Sequence, residues 1–257
     1  MNNKIIIVAL LTLFTISGKA QTKVIAHRGF SEIAPENTMI AFQKAIEIGA
    51  DYFELDVHQT KDSVLVVIHD NTVNRTSSNH KTGKIIELYL DEIQKVRVGY
   101  SEKFDKQFPV EKIPTLKEAL QLAKGKIKVC VELKADGIVN EVDKLIRELD
   151  MVEEVIIFSF NDKSLSEIKE LNPKLKTLLL RNYANLETLD LVKQINADAI
   201  GVGYDTHLNE EFVAEAHGKG IEVCHWTVNK EDHMKKLIDL NIDGIITNRP
   251  DLALKLN

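Results

Sequence analysis

Short runs rich in Val and Ile alternate along the chain with longer stretches in which apolar residues recur every three or four positions. The first pattern predicts buried strands and the second amphipathic helices. Strands are predicted at 23–28, 50–58, 64–69, 127–133, 153–159, 175–180, 198–203, 221–228 and 243–247. Helices are predicted from Thr38 to Ile48, Leu116 to Ala123, Ile138 to Leu149, Lys163 to Leu171, Leu186 to Gln194, Asn209 to Lys219 and Glu231 to Leu240. Gly49 supplies a stop for the first helix, and Thr115 with Glu118 forms a capping box that opens the second.

Strands and helices in alternation specify a mostly parallel sheet covered by helices. A closed (β/α)8 barrel has eight strands, so one of the nine runs must be different. Between Val57 and Val64 there is room only for a turn around Lys61, Asp62 and Ser63, whereas a parallel crossover needs a dozen residues or more. Residues 50–69 are therefore expected to form an antiparallel hairpin, strands 2 and 3 of an α/β, TIM-type (β/α)8 barrel. The polar, weakly patterned stretch from Asn71 to Ile113 is read as a small inserted segment at the barrel mouth, with one helix from Tyr89 to Val96.

The N-terminus breaks the alternation. Lys4 precedes an apolar run from Ile5 to Ile16, followed by Gly18, Lys19 and Ala20, which is the layout of a secretory signal. The run falls short of the roughly 20 residues that span a bilayer. Cleavage after Ala20 is expected, with export to the periplasm or the medium and no stable membrane insertion of the barrel domain at residues 21–257. No cysteine lies near that point to take a lipid. Composition supports a folded domain: 44% hydrophobic and 28% charged residues exclude a disordered or fibrous chain. The net charge of −6 argues against a nucleic-acid partner, and loss of Lys4 and Lys19 with the signal strengthens that argument. Cys130 and Cys224 each sit inside an apolar strand, where buried free thiols are expected in place of a disulfide.

Barrels of this type carry their active sites at the C-terminal ends of the strands. Charged residues close several strands here: His27-Arg28 after Val24-Ile25-Ala26, His69-Asp70 after Val66-Val67-Ile68, and Glu132 and Lys134 around Leu133. Glu54 and Asp56 are two apart on one strand, so both carboxylates project from the same face. Two like charges on an inward face repel unless a cation lies between them. With Glu132 they make three hard oxygen ligands, suited to one divalent cation, Mg²⁺ or Ca²⁺. His27 and His69 are candidates for general acid and base, because imidazole works in either sense near neutral pH. Arg28 and Lys134 would neutralise the non-bridging oxygens of a phosphate. The other histidines, His58, His80, His207, His217, His225 and His233, carry less signal; His217 and His233 lie in helical patterns where an exposed or capping role is the default.

At these residues the sequence resembles the glycerophosphodiester phosphodiesterase family. The matching elements near the start are Ala26-His27-Arg28-Gly29, Ala34-Pro35-Glu36-Asn37-Thr38, Gly49-Ala50-Asp51 leading to Glu54-Leu55-Asp56-Val57, and His69-Asp70 with Arg75-Thr76. Further on are Ile113-Pro114-Thr115-Leu116, Val131-Glu132-Leu133-Lys134, Phe158-Ser159-Phe160, Trp226-Thr227-Val228-Asn229 and Asp243 to Pro250. The set runs in family order from about residue 24 to 251, with one departure at Asn248, where an Asp is the usual residue. The resemblance implies a β/α barrel with an insertion after His69-Asp70, and hydrolysis of small glycerophosphodiesters to glycerol 3-phosphate and an alcohol. It implies His27 and His69 as the acid/base pair, Glu54, Asp56 and Glu132 as metal ligands, and Arg28 and Lys134 as phosphate contacts. It also puts Glu36 and Trp226 at the site, Trp226 on the glycerol or leaving-group side. Two alternatives stand beside this reading: a phospholipase D-like hydrolysis of lysophospholipids, and a catalytically silent barrel that binds phosphate esters. A pure binder has no need of two proton-transfer groups beside a metal, and the apolar content of 71–113 is modest, which favours water-soluble diesters.

Overall fold

A computed structural model describes residues 21–105, 107–108 and 110–256; the expected signal segment, 1–20, lies outside the described residues. Eight parallel strands close on themselves. The first, β1 (Lys23–Ala26), pairs with both β2 (Tyr52–Gln59) and β9 (Gly244–Thr247). The circuit between them runs through β4 (Lys128–Leu133), β5 (Val155–Ser159), β6 (Lys176–Arg181), β7 (Ala199–Val202) and β8 (Glu222–His225). The remaining strand, β3 (Leu65–Val67), is antiparallel to β2, with Val57 opposite Val67. The hairpin therefore forms where the short turn required it.

Helices connect the strands on the outside: α1 (Met39–Ile48) after β1, then, beyond the short α2 (Leu90–Ile93) and α3 (Ser101–Phe104), α4 (Leu116–Ala123) and α5 (Val139–Glu148). The series ends with α6 (Asp162–Leu171), α7 (Leu186–Gln194), α8 (Glu210–Gly218), α9 (Glu231–Asp239) and α10 (Pro250–Leu256). The capping chemistry operates as the sequence indicates. The Thr38 hydroxyl accepts from the Ala41 N–H, and Gly49 ends α1 at φ 79°, a left-handed conformation that costs glycine little. Thr115 and Glu118 form the reciprocal box at the start of α4. Two helices escape the periodicity: α3 is a single turn, and α10 begins at Pro250 in a stretch too short to show a face. The helix expected at 89–96 shrinks to one turn.

The period of two sorts each strand's side chains into two cores. In β2, Phe53, Leu55 and Val57 pack outward against the helices, and Phe42 of α1 stacks on Phe53 with ring centroids 4.4 Å apart. Truncating a buried aromatic such as Phe53 to Ala costs about 3–5 kcal/mol. The intervening residues point into the barrel, where Ile25, Cys130, Phe158, Leu178 and Cys224 belong to the inner cluster. Both cysteines are buried free thiols. The segment after β3 has its own satellite core, in which Val73, Ile85, Ile93 and Val98 pack with Val66 and Ile68 of the hairpin. That core seats the segment beside the mouth.

Candidate active site

The inward positions of β2 and β4 carry acids at one end of the barrel. Parallel pairing puts Asp56 directly opposite Glu132, and Glu54 lies two residues earlier on the same face of β2. All three carboxyls are buried, with ligand oxygens within 4.8 Å of one another. Burial first, then Asp56 and Glu132, push the Glu54 carboxyl well above its ordinary range. Glu132 is raised to about 7 by burial and by Asp56. Burial acts on Asp56 in the same sense, but Arg28, His69 and Lys134 outweigh it and hold that carboxyl low. Glu54 Oε1 and Asp56 Oδ1 are buried without a hydrogen-bond partner among the described residues. Mutually repelling acids with unspent oxygens fit a divalent cation held by hard oxygen ligands.

The chain bends sharply on leaving β1. Arg28 and Gly29 both have positive φ, 57° and 78°, and a Cβ at Gly29 would lie 2.6 Å from the Ala41 backbone. Only glycine fits between the turn and α1. The bend turns the Arg28 N–H onto Glu54 Oε2, 2.8 Å away, and sends the guanidinium toward Glu36. Arg28 Nη1 donates to Glu36 Oε1 at 2.9 Å, whereas Nε, 3.5 Å from Asp56 Oδ2, is buried without a hydrogen-bond partner among the described residues. His27 has its Nδ1 2.7 Å from Asn248 Oδ1, an oxygen that also accepts from Ser31 Oγ. Burial and the neighbouring Arg28 lower the His27 pKa to about 4, so the ring is neutral at physiological pH.

His69 follows the hairpin's second strand. Its Nδ1 is 2.8 Å from Asp70 Oδ1, and its Nε2 is 3.4 Å from Lys134 Nζ. Hydrogen bonds from Arg75 hold the Asp70 carboxyl well below the usual range. Lys134 also reaches Glu132 Oε1 at 2.9 Å and Asp56 Oδ1 at 3.7 Å. His58, on the inward face of β2, has its Nε2 3.1 Å from the His69 carbonyl and so props the residue from behind.

His27, Arg28, Glu54, His69, Glu132 and Lys134 line one cavity of about 280 Å³, closed on the far side by Phe158, Phe160, Leu180, Trp226 and Ile246. Trp226 meets Phe160 edge to face, centroids 5.5 Å apart. Asp56 lies just behind the wall. Glu36 has a different place from the wall residues: it bridges Arg28 and Arg75, whose Nη2 is 2.7 Å from its Oε1. Arg75 continues to Asp70 at 2.8 Å, so one chain of ion pairs links Arg28 to His69 through Glu36, Arg75 and Asp70.

Several of these contacts carry no separate signal in the sequence. Asn37 binds Asp56 twice, donating from Nδ2 to Oδ2 at 2.7 Å and accepting the Asp56 N–H at 3.2 Å. Its trace in the sequence is an Asn with room for positive φ, here 56°, between Pro35 and the cap Thr38. Arg75 and Asp70 stand in one element of the family pattern, five residues apart, but nothing in that spacing points to their link with Glu36. Asn248, the one departure from the family pattern, touches His27 directly.

The glycerophosphoryl diester phosphodiesterase family profile matches residues 27–252. A glycerophosphodiester phosphodiesterase of Caldanaerobacter subterraneus subsp. tengcongensis is 39% identical over 242 residues, 92% of this chain and 98% of the relative. The crystal structure of a glycerophosphodiester phosphodiesterase from Agrobacterium tumefaciens superposes with a TM-score of 0.81 at 29% identity, covering 91% of this chain and 99% of that one. An Oleispira antarctica phosphodiesterase, solved with the product sn-glycerol-3-phosphate, shares the fold with a TM-score of 0.82 at 24% identity, covering 92% and 96% of the two chains. By profile, sequence identity and barrel alike, this chain belongs to the glycerophosphoryl diester phosphodiesterase family.

Proposed function

We propose that the chain hydrolyses glycerophosphodiesters to glycerol 3-phosphate and an alcohol, using one divalent cation, Mg²⁺ or Ca²⁺, and two histidines. The observation that carries this reading is the shared cavity. Two strand-end imidazoles, two cations and the Glu54 and Glu132 carboxyls, with Asp56 just behind them, face one space large enough for a small diester. Glu54, Asp56 and Glu132 would hold the ion, which when bound supplies charge stabilisation to a phosphoryl oxygen.

The chain's own groups supply the rest. Lys134 and the unspent Nε of Arg28 neutralise the non-bridging oxygens as charge builds up on phosphorus. His27, neutral and held through Nδ1 by Asn248, presents Nε2 as the base that takes the proton of the attacking hydroxyl. His69 protonates the departing alkoxide, completing the exchange of one P–O bond for another. Trp226 and Phe160 offer an apolar wall to the glycerol or leaving-group side. The attacking hydroxyl belongs either to the glycerol or to water: a trapped cyclic glycerol phosphate identifies the first, and one-step ¹⁸O incorporation with inversion at a chiral phosphorus the second.

An assay on glycerophosphocholine, glycerophosphoethanolamine and a lysophospholipid, with and without chelator, tests the reading. Turnover of the two small diesters that chelator abolishes is the expected result. Full activity in excess chelator removes the cation, and hydrolysis of the lysophospholipid alone replaces the substrate. Export is proposed on the Lys4 to Ala20 pattern, and N-terminal sequencing of secreted or periplasmic protein should begin at Gln21.

A further inference from the structure

Outside the cavity, three side chains from separate elements converge on the flank of the barrel mouth. Asp205 follows β7, His225 closes β8 and His233 lies in α9. The Nε2 of His225 meets Asp205 Oδ1, and the Nε2 of His233 lies 3.1 Å from that oxygen and 3.0 Å from Oδ2. The two imidazoles stand at 89° to each other with centroids 5.3 Å apart, and one donor atom from each of the three residues falls within 4.8 Å of the others. Exposure is graded across the cluster: the His225 side chain is 2% exposed, His233 32% and Asp205 60%. The donors are thus anchored in protein on one side and open to water on the other.

We infer that Asp205, His225 and His233 form a second divalent-cation site, one that takes a zinc-class transition ion. Its chemistry differs from that of the Glu54, Asp56 and Glu132 set. Two imidazole nitrogens and one carboxylate suit Zn²⁺, Ni²⁺ or Cu²⁺, whereas Mg²⁺ and Ca²⁺ prefer oxygen alone. Three protein ligands leave a fourth, tetrahedral position for water, which the open side of the cluster admits. Glu231 and Asp232 line the same depression and add negative charge, partly offset by Lys230 and Lys236. A purely structural reason for the cluster is weak. Ion pairs to a carboxylate this exposed stabilise a fold by about 1 kcal/mol or less.

The site does not depend on the proposed hydrolysis, so its test can fail separately. Zinc is titrated calorimetrically into the purified protein in a large excess of Mg²⁺, and into the His233→Ala, Asp205→Asn and Glu54→Gln variants. One zinc per chain should resist the Mg²⁺, persist in Glu54→Gln, and weaken at least about 10-fold in His233→Ala and Asp205→Asn. Co²⁺ in place of zinc should give the intense visible absorption of a tetrahedral ion, lost in the same two variants. Both altered residues are partly exposed, so the variants should fold, which a melting curve checks. Zinc binding that is absent in the wild type, or unchanged by His233→Ala and Asp205→Asn, overturns the proposal and leaves the three residues a hydrogen-bonded triad only.

Discussion

The two convergent clusters are built in opposite ways. Glu54, Asp56 and Glu132 come from adjacent strands whose register sets Asp56 against Glu132, and they are buried, oxygen-only and mutually repelling. Asp205, His225 and His233 come from a connection, a strand end and a helix, and Asp205 is largely exposed. A strand pair fixes the spacing of its ligands through backbone hydrogen bonds, so the first cluster tolerates strong repulsion that a loop would relieve by moving. The second needs no such restraint, because its members attract. The difference predicts that the first cluster is costly without its ion and indispensable with it, and that the second affects neither the fold nor turnover of small diesters.

The largest effect should follow Glu54→Gln. Losing one ligand and its charge should lower turnover by about 10³-fold or more, given the several kcal/mol a bound ion contributes to charge stabilisation. The same change should raise the melting temperature of the chelator-treated protein, corresponding to about 1 kcal/mol, since it removes a buried like charge. A lower melting temperature would break the repulsion argument. Next come His27→Ala and His69→Ala, each expected to reduce kcat by about 10² to 10⁴. Near-normal turnover in either would detach that histidine from proton transfer.

Asn37→Ala leaves every proposed ligand in place but frees Asp56, and should weaken cation affinity about 10- to 100-fold. Unchanged affinity in a Ca²⁺ or Mg²⁺ titration would show that strand register alone positions Asp56. Smaller still is Asn248→Asp, read in the pH profile. His27 accepts a proton only when neutral, and with its pKa lowered to about 4 the acid limb that belongs to this ring should lie near that value, read at a cation concentration that keeps Glu54 and Glu132 deprotonated and ligated. An anionic partner favours the imidazolium, so the acid limb should move to higher pH. An unmoved limb would assign it to another group. His233→Ala should leave diester turnover within about twofold, because His233 does not line the cavity.

Much of the barrel was legible because its signals are local. All nine strands appear within a few residues of the Val- and Ile-rich runs, and the turn at Lys61 to Ser63 was too short for anything but a hairpin. Glu54 and Asp56 were readable as a pair because a strand repeats every two residues. Helix α10 was not, since a seven-residue helix that opens on a proline shows no clear periodicity. The resemblance pointed to Glu36, but its position behind Arg28 was not legible, because Arg75 reaches it across 39 residues.

By itself the sequence determined the alternation of elements, the antiparallel hairpin, the inward face of β2 and the residue types able to hold a cation and move protons. These follow from backbone geometry and side-chain chemistry, which act over a few positions. The tertiary structure decided which distant groups meet: Asn248 on His27, Arg75 between Glu36 and Asp70, and His225 and His233 on Asp205. Such contacts depend on barrel closure and on how each connection packs, so no local spacing in the chain encodes them.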